Sequence, residues 1–303
     1  MSVYIGYRNL PGYLSAQGAF GGTPVNPDQR LSTVKSGVYL LTIGGLDYAV
    51  SNERGVSSVP SAEMSSNDPG GNMIKALLTI DDVSSNNTPA IVDYLSEKKI
   101  PVLMFMVGQW AEGYPDQLIY ALKHGIIVGN HSYSHPHFSE LSFEECKNEI
   151  EKNEEVLNRF YDQAGVERKF RPFRFPFGDK GGDNKEKIQE YLAEKGFNKV
   201  DDTKLQYPWW KEQGLDKDID TFWTFDFAEY CIRPNSGFTL EDVMKKIHDP
   251  DPEDGAVLLK EGSHHLLLLH AHDETEEMVP GYYRIFIEEL LKNGVEFIAP
   301  EFL

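Results

Sequence analysis

From residue 74 to the C-terminus the chain alternates two hydrophobic patterns. Short apolar runs predict buried strands at 74–80, 101–107, 126–128, 170–173, 197–200, 222–225, 265–269 and 295–298. Between them, apolar residues spaced three and four apart predict helices at 88–99, 115–124, 142–161, 183–195, 239–248 and 279–293. Pro89 suits the first turn of one helix, and Ser142 with Glu145 forms the capping-box signature of another. Strand–helix–strand repeats build right-handed βαβ units on a parallel sheet. The expected fold is therefore α/β, a distorted β/α barrel of about seven or eight parallel strands.

The first 70 residues read differently. They are rich in Gly, Ser, Pro and Asn, with apolar stretches at 38–43 and 46–50 separated by Gly44-Gly45, the pattern of a β-hairpin. Residues 57–71 (SSVPSAEMSSNDPGG) read as a linker or surface loop. The expected organisation is an N-terminal β-rich extension and linker over 1–70, and one large domain over 71–303.

Charge narrows the range of partners. With 48 Asp and Glu against 29 Lys and Arg, the formal net charge is −19. Nucleic acid and anionic lipid are bound by cations that neutralise phosphates, so neither is expected as a partner. The longest apolar run, HLLLLHA, falls far short of the roughly 18 residues of a membrane helix. The N-terminal stretch lacks the basic and apolar regions of a signal peptide, which implies a protein that acts where it is made or one whose signal has been trimmed. Cys146 and Cys231, too few for a disulfide framework, are read as two unpaired thiols.

Barrel active sites collect at the C-terminal ends of strands. The residues directly after the predicted strands are Asp81-Asp82, then GNHSYSHPH with His131 and His135, then Arg174, then Asp226 and Glu229, then His270. Adjacent carboxylates at a strand end diverge, so one can bind a metal while the other faces a reacting water. The four-residue spacing of His131 and His135 stacks two imidazoles on one face of a helical turn. Two His and one Asp make a three-ligand site with an open position, suited to zinc, cobalt or another late divalent ion. His124, His137, His248, His264 and His265 carry no such pattern and read as structural or exposed. Trp110, Tyr114 and Trp209-Trp210 lie in loops, where stacking on sugar rings and packing under the loop are both open readings.

Four of these segments resemble the motifs of the polysaccharide deacetylases, carbohydrate esterase family 4 with its NodB-homology domain. Thr79-Ile80-Asp81-Asp82 is similar to the family's T-F-D-D, His131-Ser132-Tyr133-Ser134-His135 to its histidine metal motif, Arg174-Phe175-Pro176-Phe177-Gly178 to R-x-P-[YF]-G, and Leu267-Leu268-Leu269-His270 to the closing L-x-L-x-H. The resemblance covers 71–303 and implies Asp82, His131 and His135 as metal ligands, Asp81 as general base and Arg174 as its partner. It also implies the Phe177 backbone N–H as an oxyanion donor and His270 as general acid. Where the family shows Asp and Trp, this chain has Asp226-Phe227-Ala228-Glu229-Tyr230. Asp226 is favoured over Glu229 as the residue orienting His270, Tyr230 is a candidate wall of the acetate pocket, and His272 is the reserve acid.

The implied activity is metal-dependent removal of N-acetyl groups from an amino-sugar polymer, a chitin- or peptidoglycan-like glycan. An O-acetyl (xylan) esterase, or hydrolysis of another non-peptide C–N bond, uses the same machinery. A catalytically inactive carbohydrate-binding module is the non-enzymatic alternative, and the intact residue set argues against it, since binding alone needs no base, acid and three ligands.

Overall fold

The computed structural model describes residues 72–303, together with the backbone of three strands between residues 29 and 51. The chain falls into two units, Met1–Asn67 and Asp68–Leu303. In the first, β1 (Gln29–Lys35), β2 (Val38–Ile43) and β3 (Leu46–Ser51) form an antiparallel sheet in that order. The expected hairpin strands pair with each other, and β1 adds a third that the sequence reading did not separate. The proposed linker at 57–71 lies outside the described residues.

The second unit alternates strands and helices: β4 (Ile74–Val83), α1 (Thr88–Lys98), β5 (Val102–Met106), α2 (Gly108–Gly113), α3 (Pro115–Lys123), β6 (Ile127–Asn130), α4 (Phe143–Ala164), α5 (Lys185–Glu194), α6 (Pro208–Glu212), β7 (Phe225–Asp226), α7 (Leu240–Ile247), β8 (His264–His270), α8 (Asp273–Met278), α9 (Tyr282–Lys292) and β9 (Val295–Phe297). Its sheet runs β6-β5-β4-β8-β7, all parallel, with β9 beside the start of β4. Burial on both faces explains why β5 reads as an unbroken hydrophobic run and β4 as a nearly continuous one. Leu78, Ile80, Met104, Leu267 and Leu269 form the centre of the core, packed under Ile91, Leu122, Leu157 and Phe286 of the helices.

Closure into a distorted barrel uses single-residue links. Asn130 at the end of β6 pairs in parallel with Phe173, and the Thr221 N–H donates to the Phe173 carbonyl at 2.8 Å. The same segment then runs through Thr224 into β7, beside β8. The strand expected at 170–173 is thus a bridge and no ladder, because Pro172 has no N–H to extend it. Gly129 permits this approach, since a Cβ there would stand 2.7 Å from the Pro172 carbonyl. The strand expected at 197–200 also shrinks, to one antiparallel bridge between Val200 and Phe302.

The six expected helices form, α4 with its reciprocal Ser142–Glu145 cap and a Gly165 left-handed stop. The short α2, α6 and α8 have too few turns to show periodicity. Both cysteines are free, and among the described residues no helix is long and apolar enough to cross a membrane.

α4 is tied to the strand ends by Glu154, whose carboxylate accepts from Arg168 (2.8 and 2.9 Å), Arg171 (3.0 Å) and Asn130 (2.9 Å). Burial alone would raise its pKa, but Arg168 and the other donors outweigh it and hold Glu154 below the usual carboxylate range. A lowered folded-state pKa stabilises the protein above the unfolded value and ceases to do so as pH falls through the folded one. Glu154→Gln should therefore cost about 2 kcal/mol at pH 7, with the deficit shrinking as pH drops below about 4. Thermal melts of both proteins between pH 3 and pH 7 check this; a deficit independent of pH contradicts it.

Candidate active site

The parallel register brings the candidate residues to one end of the sheet. Asp81 lies opposite His270 on the β4–β8 ladder, His131 directly follows β6, and Arg174 follows the Phe173 bridge. Arg174 has no exposed surface. Its Nη1 donates to Asp81 Oδ1 and to Thr79 Oγ1, both at 2.7 Å, its Nε to the Thr221 carbonyl at 2.9 Å, and its guanidinium lies 4.5 Å from the Phe105 ring centroid. The other oxygen of Asp81 is 3.4 Å from His131 Nε2, so one carboxylate oxygen is pinned and the second faces the histidines.

Asp82, His131 and His135 converge with ligand atoms within 4.8 Å of one another. Asp82 Oδ1 is 3.6 Å from His131 Nε2 and 3.4 Å from His135 Nε2, and it is buried without a hydrogen-bond partner. His131 Nδ1 lies 2.8 Å from the Arg174 carbonyl, to which it can only donate, and this bond turns Nε2 toward the Asp82 oxygen. Burial, with His131 adding to it, pushes the His135 pKa down to about 4, leaving a neutral imidazole at neutral pH. Burial opposes the ionisation of Asp82, but the hydrogen bond to His272 and the nearby histidines more than compensate and hold its pKa well below the usual range. An orphaned carboxylate oxygen facing two imidazole nitrogens fits a divalent cation, and His131, His135 and Asp82 are the residues that would hold it.

The histidine loop is not the helical turn its spacing suggested. Ser132 and His135 are left-handed, with φ of 65° and 60°, which breaks helical geometry. Side chains hold the loop instead: Asn130 Oδ1 accepts from the Ser132 N–H at 2.8 Å, and Glu149 from the N–H groups of Tyr133 and Ser134 at 3.0 and 2.8 Å. Ser132 Oγ accepts from the His135 N–H at 3.1 Å. Asn153 Nδ2 donates to Asn130 and to the Met106 carbonyl. None of Asn130, Glu149 or Asn153 was singled out from the sequence. Asn153 carried a signal, because it stands in the apolar series Cys146, Ile150, Asn153, Leu157 of α4, a polar residue at a core position.

On the opposite wall, Glu229 and not Asp226 holds His270. Glu229 Oε1 is 3.0 Å from His270 Nδ1 and also accepts the His270 backbone N–H at 2.7 Å. Asp226 instead accepts from the Ala228 N–H and the Tyr230 hydroxyl. The cause is Ala228, whose left-handed φ of 57° turns the chain and swings the fully buried Glu229 back under the strand end. Burial opposes a charged His270, but Glu229, with Asp82 and Asp81 beyond it, raises its pKa to about 10. His272 is also in the site, its Nε2 2.6 Å from Asp82 Oδ2.

Aromatic rings line the rim. Trp110 stacks on His135 at 5.2 Å, Tyr230 meets His270 edge-on at 4.9 Å, and the exposed Phe177 ring stacks on His137 at 4.0 Å. Phe177 itself is left-handed (φ 58°) in the turn Pro176–Gly178. Trp210, by contrast, is buried in a cluster with Leu77 and Leu205 and donates to Asp202, a packing role.

Residues 70–200 match the family model described as polysaccharide deacetylase. A peptidoglycan-N-acetylglucosamine deacetylase of Bacillus cereus is 36% identical over 109 residues, 36% of this chain and 38% of that protein. Chitin deacetylase 1 of Cryptococcus neoformans is 29% identical over 186 residues, 57% of this chain and 38% of that protein. The matches thus span 38% of each of these relatives' lengths. A solved peptidoglycan N-acetylglucosamine deacetylase shares the fold, with a TM-score of 0.52, 20% identity, and coverage of 74% of this chain and 85% of that one.

Zinc or cobalt added to chelator-stripped protein at about 100 times Kd should raise stability by about 2.7 kcal/mol, several degrees in Tm, because the ligands are assembled only in the folded state. His135→Ala should abolish the shift. An equal shift in that variant, followed by scanning calorimetry, contradicts the ligand set.

Proposed function

We propose that this chain, a member of the polysaccharide deacetylase family, is a metal-dependent hydrolase that removes N-acetyl groups from an amino-sugar polymer of the chitin or peptidoglycan type. The observation that carries this reading is the meeting, at one end of the sheet, of a carboxylate pinned by a buried guanidinium, a three-ligand cation site and a carboxylate-held histidine. The relatives named above, one a peptidoglycan-N-acetylglucosamine deacetylase and the other a chitin deacetylase, support amide cleavage over ester cleavage. A binding module would have no use for a base and an acid on opposite walls.

A bound divalent cation would polarise the acetyl carbonyl and make a water beside it more acidic. Asp81, held at Oδ1 by Arg174, keeps Oδ2 for the water's proton as the water oxygen bonds to the carbonyl carbon. The Phe177 backbone N–H is assigned to the developing oxyanion. His270, kept protonated by Glu229, gives its proton to the sugar nitrogen as the C–N bond breaks, and acetate and a free amine leave. The scissile amide is uncharged and the product amine is cationic, and the net charge of −19 repels neither.

Acetate release from acetylated chitooligosaccharides and from peptidoglycan, with zinc or cobalt restored to stripped protein, tests the reading. Asp81→Asn should cut turnover by at least about a hundredfold and leave the metal bound, whereas His131→Ala should lose both. Full activity in the Asp81 variant contradicts the base assignment.

Glu229 supplies a pH test. Because its charge raises the His270 pKa, Glu229→Gln should move the alkaline limb of the kcat/KM profile to lower pH. An unmoved or upward-shifted limb removes His270 as the acid.

A further inference from the structure

The second histidine of the closing segment, His272, is positioned for a task different from that of His270. We propose that His272 and Arg233 form a relay that orients Asp82, so that this carboxylate meets the cation through Oδ1 alone. The inference rests on reading Asp82 as a metal ligand.

The tautomer follows from the partners. Arg233 Nη2 stands 3.3 Å from His272 Nδ1, and a guanidinium can only donate, so Nδ1 is the acceptor. The ring proton then resides on Nε2, which donates to Asp82 Oδ2 at 2.6 Å. That bond occupies one carboxylate oxygen and leaves Oδ1, buried and unpartnered, facing the His131 and His135 nitrogens.

Both ends of the relay are anchored. Arg233 Nη1 donates to the Ile232 carbonyl at 2.8 Å and to the buried Thr275 hydroxyl at 2.9 Å. Asp273, next to His272, accepts from the backbone N–H groups of Asn86 (3.1 Å) and Asn87 (2.9 Å), which ties the loop after Asp82 to the start of α8. His270, whose ring stacks on that of His272 at 5.0 Å, is instead bound to Glu229. The two histidines therefore serve opposite sides of the reaction: one holds a proton for the leaving group, the other holds a ligand still. Outer partners of this kind set ligand orientation and basicity, and losing one typically weakens metal binding. His272 is on this account a positioning residue.

Zinc titration of the chelator-stripped full chain by calorimetry is the test, read as affinity and not as turnover. His272→Phe should bind zinc roughly ten- to a hundredfold more weakly than the unaltered protein, and His272→Gln, which keeps an N–H donor, should remain within about threefold. Arg233→Met, which removes the donor to Nδ1 and frees the tautomer, should lose about threefold or more, and it decides the matter should His272→Phe fail to fold. Unchanged zinc affinity in His272→Phe or in Arg233→Met overturns the proposal, as does intact affinity with collapsed turnover, the signature of an acid. His131→Ala, run alongside, separates the two layers: if it binds zinc as tightly as the unaltered chain, the metal reading itself has failed.

Discussion

The site depends on a guanidinium with no access to water. Arg174 reaches from the bridge after β6 across the sheet end, donating to Thr79 and Asp81 of β4 and to the Thr221 and Phe222 carbonyls that lead into β7. Burying an unpaired guanidinium would cost several kcal/mol, so these partners are fixed where it needs them. Its carbonyl also accepts from His131 Nδ1, so one residue fixes both the Asp81 carboxylate and the His131 ring. Barrel closure and active-site assembly are here the same set of bonds.

A second constraint is backbone conformation. Of the seven non-glycine residues with positive φ among those described, Asp82, Ser132, His135, Phe177 and Ala228 belong to the segments that carry the site. Such conformations carry a modest energetic cost and persist only where surrounding bonds over-determine them. The bonds are visible: Asn130, Glu149 and Ser132 grip the histidine loop, and Asp226 grips the turn at Ala228. The rigid strand ends supply position, and these strained turns supply direction.

Much of this was legible in the sequence because it depends on local pattern. Buried parallel strands write themselves as apolar runs, and the residue following each run falls at the same end of the sheet; Asp81, Asp82, His131, Arg174 and His270 could be found that way. What could not be read depends on chain direction beyond one or two residues. The choice between Asp226 and Glu229 turns on the φ of Ala228, and nothing about an alanine announces a left-handed turn. The histidine spacing of four fits both a helical turn and the observed loop, and side-chain bonds from Asn130, Ser132 and Glu149 decide between them. Short strands failed for a different reason: at Phe173 and Val200, single bridges replace ladders, too little structure to impose a period.

The central claim is that side chains far apart in sequence enclose one divalent cation at the mouth of the barrel. Anomalous diffraction at the zinc or cobalt edge from metal-loaded crystals tests it most directly. The account predicts one dominant peak within coordination distance, about 2.0–2.2 Å, of His131 Nε2, His135 Nε2 and an Asp82 oxygen. A dominant peak elsewhere, such as among Asp226, Glu229 and His270, would contradict it.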